Sequence, residues 1–99
     1  MLNENRVNQD EFIKRKSGAT YRGQVLLGSG RPDGKGIKIF AGKSLYEGYF
    51  SNGLYHGFGR AISSKGEVYQ GQFNLDNMEG KGFFYWPDGR IYEGNWKDN

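Results

Sequence analysis

Few residues of this 99-residue chain have side chains suited to chemistry, and they are scattered: there is one histidine, His56, and no cysteine. The stretch Gly36-Ile-Lys-Ile-Phe-Ala-Gly42-Lys43-Ser44 resembles a phosphate-binding loop, in which backbone N–H groups cradle phosphate oxygens and a lysine reaches them. It carries one residue too many between its glycines, and no helical pattern follows, so Gly42 reads as a turn glycine. Gly28-Ser29-Gly30 lacks the third glycine of a dinucleotide fingerprint and reads as a loop. His56 has no matched nucleophile and orienting acid, and no companion ligands for zinc, so it reads as a turn residue. Glu47 and Glu93 stand at equivalent positions two repeats apart, with Gln70 between them. An acid pair for catalysis is not a repeat feature, and these are read as solvated strand residues. No catalytic residue, metal site or cofactor is therefore expected.

The elements that must hold these residues are repeats. Gly-x-Gly triplets stand 23 residues apart at Gly34/Gly36, Gly57/Gly59 and Gly80/Gly82. A Tyr-x-Gly triplet precedes each and recurs once more, starting at Tyr21, Tyr46, Tyr69 and Tyr92, with steps of 25, 23 and 23. A fixed period of this length marks stacked supersecondary units, none of which buries enough apolar surface to fold alone. Around each tyrosine the pattern alternates: Tyr46, Gly48 and Phe50 share one face, as do Tyr69, Gly71 and Phe73, and Tyr92, Gly94 and Trp96. Period two means strand. The opposite face carries Glu47 with Tyr49, Gln70 with Gln72 and Glu93 with Asn95, which suits a wet side. Second strands are predicted over Gly36 to Phe40, Gly59 to Ser63 and Gly82 to Trp86, with turns at Lys65-Gly66 and Asp88-Gly89, so one repeat is one hairpin.

The paired glycines, Gly34, Gly36, Gly57, Gly59, Gly80 and Gly82, are expected to be structural. A glycine facing a neighbouring strand's tyrosine lets the ring lie over bare backbone and pins register. Repeat one departs from the pattern: two extra residues fall within Leu27 to Asp33, the stretch from Gly36 to Gly42 is one residue short, and Val25 stands in the column of Phe50, Phe73 and Trp96. Weak outer repeats are what solenoid caps look like. Residues 1–19 form a separate polar segment, either a short helix stopped at Gly18 or a disordered leader.

Reading Tyr46-Glu-Gly-Tyr-Phe-Ser-Asn-Gly-Leu-Tyr-His-Gly-Phe-Gly59, then Tyr69-Gln-Gly-Gln-Phe73 and Tyr92-Glu-Gly-Asn-Trp96-Lys, the chain resembles the MORN (membrane occupation and recognition nexus) repeat family over Thr20 to Lys97, as three full repeats and one half. The resemblance implies an all-β fold: a single-layer, elongated antiparallel sheet of repeated hairpins with a grooved aromatic face, beside a short non-repeat N-terminal segment. It also implies non-catalytic scaffolding in cytoskeletal, ciliary or cell-division structures, binding of partner proteins or peptides, and in some members attachment to membranes. A cytoplasmic, cytoskeletal or ciliary setting is expected accordingly.

The aromatic rows Tyr46/Phe50, Tyr69/Phe73 and Tyr92/Trp96 are the partner-binding candidates, because a single-layer sheet has no second layer to cover them. Net charge is only +3 and thinly spread, so no nucleic-acid partner is expected. Lys14-Arg15-Lys16 is the densest basic run and supports weak binding to anionic membranes. The alternative readings are an anionic-phospholipid module or the regulatory arm of a larger enzyme. The strand from Ile91 to Trp96 is read as an open edge guarded by Lys97 and Asp98, a place for self-association.

Overall fold

The computed structural model describes residues 5–97. The first four residues of the N-terminal segment, and Asp98 and Asn99 at the expected edge, lie outside the described residues. Eight strands follow in chain order: β1 (Arg6–Lys14), β2 (Thr20–Leu26), β3 (Pro32–Ile39), β4 (Leu45–Ser51), β5 (Leu54–Ile62), β6 (Val68–Asn74), β7 (Asn77–Tyr85) and β8 (Ile91–Trp96). They form one open sheet in that same order, each strand antiparallel to the next. Among the described residues there is no helix. The molecule measures 42 × 29 × 19 Å, an elongated single layer.

Gly23, Gly36, Gly48, Gly59, Gly71, Gly82 and Gly94 are cross-strand partners in turn, an unbroken glycine line from β2 to β8. None of these residues has a side chain of its own, so the backbone is free to bend there. A second device adds to the bend. Between Gly48 and Phe50 one residue of β4 faces three of β5, because Gly48 pairs with Gly59 while Phe50 pairs with Tyr55. The same mismatch recurs between β2 and β3 and between β6 and β7. The extra residues include Gly34, Gly57 and Gly80, whose φ values of 95°, 91° and 72° place them in the left-handed region. The two glycines of each Gly-x-Gly thus have different duties: the first makes the bulge, the second lies beneath a ring.

Tyr21 and Tyr46 are fully buried although no second layer exists, so the sheet must curl over this face. The core is a zigzag of rings. Edge-to-face contacts run Tyr21–Phe50–Tyr46–Phe73–Tyr69–Trp96–Tyr92, with centroids 5.0 to 5.6 Å apart. Alternate links join neighbouring repeats, and each such pair contributes about 0.5–1.5 kcal/mol beyond its buried area.

Three expectations about the first repeat are corrected. Residues 6–14, expected as part of a helix or a disordered leader, are strand β1, which pairs along β2. Gly18 is a hairpin-turn glycine, with φ 92° and its N–H on Arg15 O at 2.9 Å. Gly66 and Gly89 make the same turn, bonding Ser63 O and Trp86 O at 3.0 Å. The corresponding residue in repeat one is Lys43, at φ 70° and 3.0 Å from Phe40 O, and Gly42 beside it makes no such turn bond. With Lys43 as the turn residue, Gly36 to the turn is as long as its counterparts and the apparent shortening disappears. The extra length falls in the connection between Leu26 and Pro32, closed by Leu26 N–H on Arg31 O at 2.9 Å. No phosphate-binding loop forms around Lys43, since β3 and β4 flank it as a hairpin.

Candidate functional site

Each buried tyrosine has a polar end that must be satisfied. The residue facing the bulge has a carbonyl outside the regular ladder, and the tyrosine hydroxyl three residues earlier donates to it: Tyr21 to Gln24 O at 2.7 Å, Tyr46 to Tyr49 O at 2.8 Å and Tyr69 to Gln72 O at 2.9 Å. Their rings then lie on the glycine of the next strand, so that a Cβ on Gly36, Gly59 or Gly82 would strike Tyr21, Tyr46 or Tyr69. Burial pushes the Tyr21 phenol up to about 12 and raises those of Tyr46 and Tyr69 as well. These are core groups.

The predicted binding rows are accordingly divided. Tyr46, Phe50, Tyr69 and Phe73 retain 0 to 7 % exposure and do not form an open surface. The curl of the sheet has closed their face, which a flat layer would leave open. Tyr92 remains 47 % exposed and Trp96 half-buried, both on β8, which has β7 as its single neighbour among the described residues.

What stays accessible is a groove of about 470 Å³ beside the rings. Tyr69 and Phe73 contribute to its wall, and the rest of the apolar lining comes from Phe40, Leu45, Tyr55, Ala61, Ile62, Met78 and Phe84, with Ser44, Ser63, Glu67 and Asp76 adding polar groups. Tyr55 stacks on Tyr46 at 3.9 Å and 10°. Burial, and then the nearby Asp76, raise its phenol to about 12, so it is a neutral hydrogen-bonding group near neutral pH. Among the described residues no group of three or more His, Asp or Glu side chains converges to hold a metal ion.

Tyr55, Ala61, Met78 and Phe84 were not among the sequence-based candidates. Their signal was present: Tyr55 and Met78 stand 23 residues apart, as do Ala61 and Phe84. Beginning the second strands at the Gly-x-Gly hid Tyr55 and Met78, whereas β5 and β7 start at Leu54 and Asn77, directly after two-residue turns; Ala61 and Phe84 lay inside the predicted strands but were not placed on the ring face. The face expected to be polar is also mixed, with Tyr49 and Phe58 exposed at 46 and 48 % and Phe83 stacked with Tyr85.

His56 repeats a task performed by Asp33. Asp33 accepts the Asn52 N–H at 2.7 Å and the Arg6 guanidinium at 2.7 Å, while His56 Nδ1 accepts the Leu75 N–H at 3.3 Å. Each latches the turn of the following hairpin. The backbone repeats the stitch, Gly53 N–H to Pro32 O at 2.7 Å and Asp76 N–H to Tyr55 O at 2.8 Å. Burial alone would raise the Asp33 carboxyl, but the Asn52 N–H and then Arg6 outweigh it and hold it below the usual value.

One open sheet of stitched hairpins, with its rings laid over a glycine line, defines a β-hairpin repeat protein. The MORN repeat profile matches residues 46–68, 69–89 and 92–99, and the chain belongs to the MORN repeat family. It is similar to Alsin of Homo sapiens and of Pan troglodytes, 34% identical over 86 residues in each case, covering 82% of this chain. Alsin of Mus musculus matches to the same extent. The chain spans 5% of the length of these relatives.

Proposed function

We propose that this chain is a non-catalytic adaptor that binds an apolar segment of a partner protein or peptide in the groove of Tyr55, Met78 and Phe84. The observation that carries this reading is accessible apolar surface at the groove, next to rings that are otherwise closed off. A cytoplasmic setting in a cytoskeletal or ciliary assembly, and self-association through the β8 edge, belong to the same reading. The match to 5% of Alsin supports a module that serves within a larger protein, including as a regulatory arm of an enzyme.

Lipid attachment through Lys14-Arg15-Lys16 as a surface patch is weakened by the fate of that run. Lys14 and Lys16 are exposed, but Arg15 turns inward over the Tyr21 ring, 5.3 Å from its centroid.

Affinity purification with mass spectrometry tests the adaptor reading, with the chain, Met78→Asp and Lys65→Ala run in parallel. Partners retained by the chain and by Lys65→Ala, and lost with Met78→Asp, support groove docking. Identical partner sets from all three would remove it. A fluorescent fusion that ignores cytoskeletal and ciliary structures would remove the setting alone.

A further inference from the structure

Two of the features that set repeat one apart bring positive charge to one place. The connection between β2 and β3 is longer and carries Arg31. On β3, Lys38 lies opposite Tyr21 and Tyr46, at the inner-face position that Ala61 and Phe84 fill in later repeats. An ammonium group at a position that is apolar in the later repeats calls for a counter-charge. Lys38 Nζ has the Phe40 ring at 5.2 Å and no ion pair among the described residues.

A third cation reaches the same spot from the β1–β2 turn. Arg15 donates one N–H to Gly30 O at 2.9 Å, and its Nε–H is buried with no hydrogen-bond partner among the described residues. A buried donor left unmatched is a cost that a bound acceptor removes. Arg31 makes one long side-chain bond, 3.4 Å to Asn52 Oδ1. Arg15, Arg31 and Lys38, together with Ser29 and Asn52, line a cavity of about 420 Å³, and no described Asp or Glu lines it. Asp33, next in sequence to the lining Pro32, is already held by Arg6 and the Asn52 N–H.

We propose that this cavity binds a phosphate group, free or as a phosphate ester. Three cations around one cavity exceed what a single carboxylate would neutralise, whereas a phosphate dianion matches most of that charge and accepts forked guanidinium bonds. The remaining volume accommodates the group that bears the phosphate. This site is separate from the apolar groove and does not rest on the adaptor reading.

The test is titration of the intact chain at low ionic strength with inorganic phosphate and with pyrophosphate, following the amide resonances of Ser29, Gly30, Asn52 and Gly53. Saturable shifts that weaken with added salt are expected. Lys38→Ala, which copies Ala61 of the next repeat and should fold as well as the parent, is expected to lower affinity about tenfold without lowering Tm. Arg31→Gln, at an exposed position, provides a second variant. Phosphatidylcholine vesicles with and without phosphatidic acid separate the sources. Shifts with the free anions alone indicate a soluble ester; Lys38-dependent capture by phosphatidic acid, competed by pyrophosphate, indicates a lipid headgroup. Either result supports the site. No saturable response to any probe, or one unchanged in both variants, would overturn it.

Discussion

Tyr46 and Gly59 show how a single residue pair determines the local geometry. The ring lies on bare backbone and its hydroxyl reaches Tyr49 O, so adding one methyl at Gly59 displaces the ring and breaks that bond together. We expect Gly59→Ala to cost about 3 kcal/mol by urea denaturation, from overpacking and a lost buried hydrogen bond. Lys65→Ala, in an exposed turn, should stay within about 0.5 kcal/mol. Equal effects would count against the ring-over-glycine register. Two other residues are strained in the opposite sense: Lys43 at φ 70° and Leu75 at φ 46° occupy the left-handed region that glycine or asparagine tolerates better. Lys43→Gly and Leu75→Asn should each stabilise by about 0.5–1 kcal/mol, the glycine gain being reduced by its entropy in the unfolded chain. A lowered Tm in both would show that these turns are held for another reason.

At the scale of elements, the hairpins are held to one another by turn latches as well as by the sheet ladder. Asp33 is the charged one, and its depressed pKa makes stability depend on pH. Its contribution is complete above the ordinary value of 3.8 and is lost as pH falls through the lower folded value. Urea midpoints measured from pH 5 downward should therefore fall, and Asp33→Asn should flatten part of that slope while lowering stability at pH 5. An unchanged slope in the variant would mean that other carboxylates carry the acid response. His56 holds the next turn with a longer bond and no ionic partner among the described residues, so the first stitch is the stronger of the two.

Across the whole molecule, the ring zigzag links neighbours only, so stability is expected to sum along one dimension. β2 to β7 have partners on both sides, and β4 and β6, which flank β5, carry Tyr46, Phe50, Tyr69 and Phe73 of the buried rings, whereas Tyr92 on β8 is 47 % exposed. Hydrogen exchange should therefore be slowest in β4 to β6 and fastest in β1 and β8, with a graded fall between. Protection of β8 equal to that of β5 in the monomer would contradict this picture. It would point instead to pairing of the open edge.

The repeat, its strand faces, its hairpin phase and its glycine columns were legible in the sequence because each is a local demand repeated every 23 residues, as at Tyr46, Tyr69 and their glycines. Strand β1 escaped notice because it lacks the glycine pair, although Gly18 stands three residues before Tyr21 as Gly66 does before Tyr69. Local pattern also named the rings of the core, but not which would be sealed. That depended on the curl of the sheet, a sum of bulges and bare glycine crossings over the layer, which buried Tyr46 and Phe50 and left Tyr55, Met78 and Phe84 to form the groove. The meeting of Arg15, Arg31 and Lys38 was likewise decided by the tertiary structure, since they come from a turn, a loop and a strand whose spacing in the chain carries no common period.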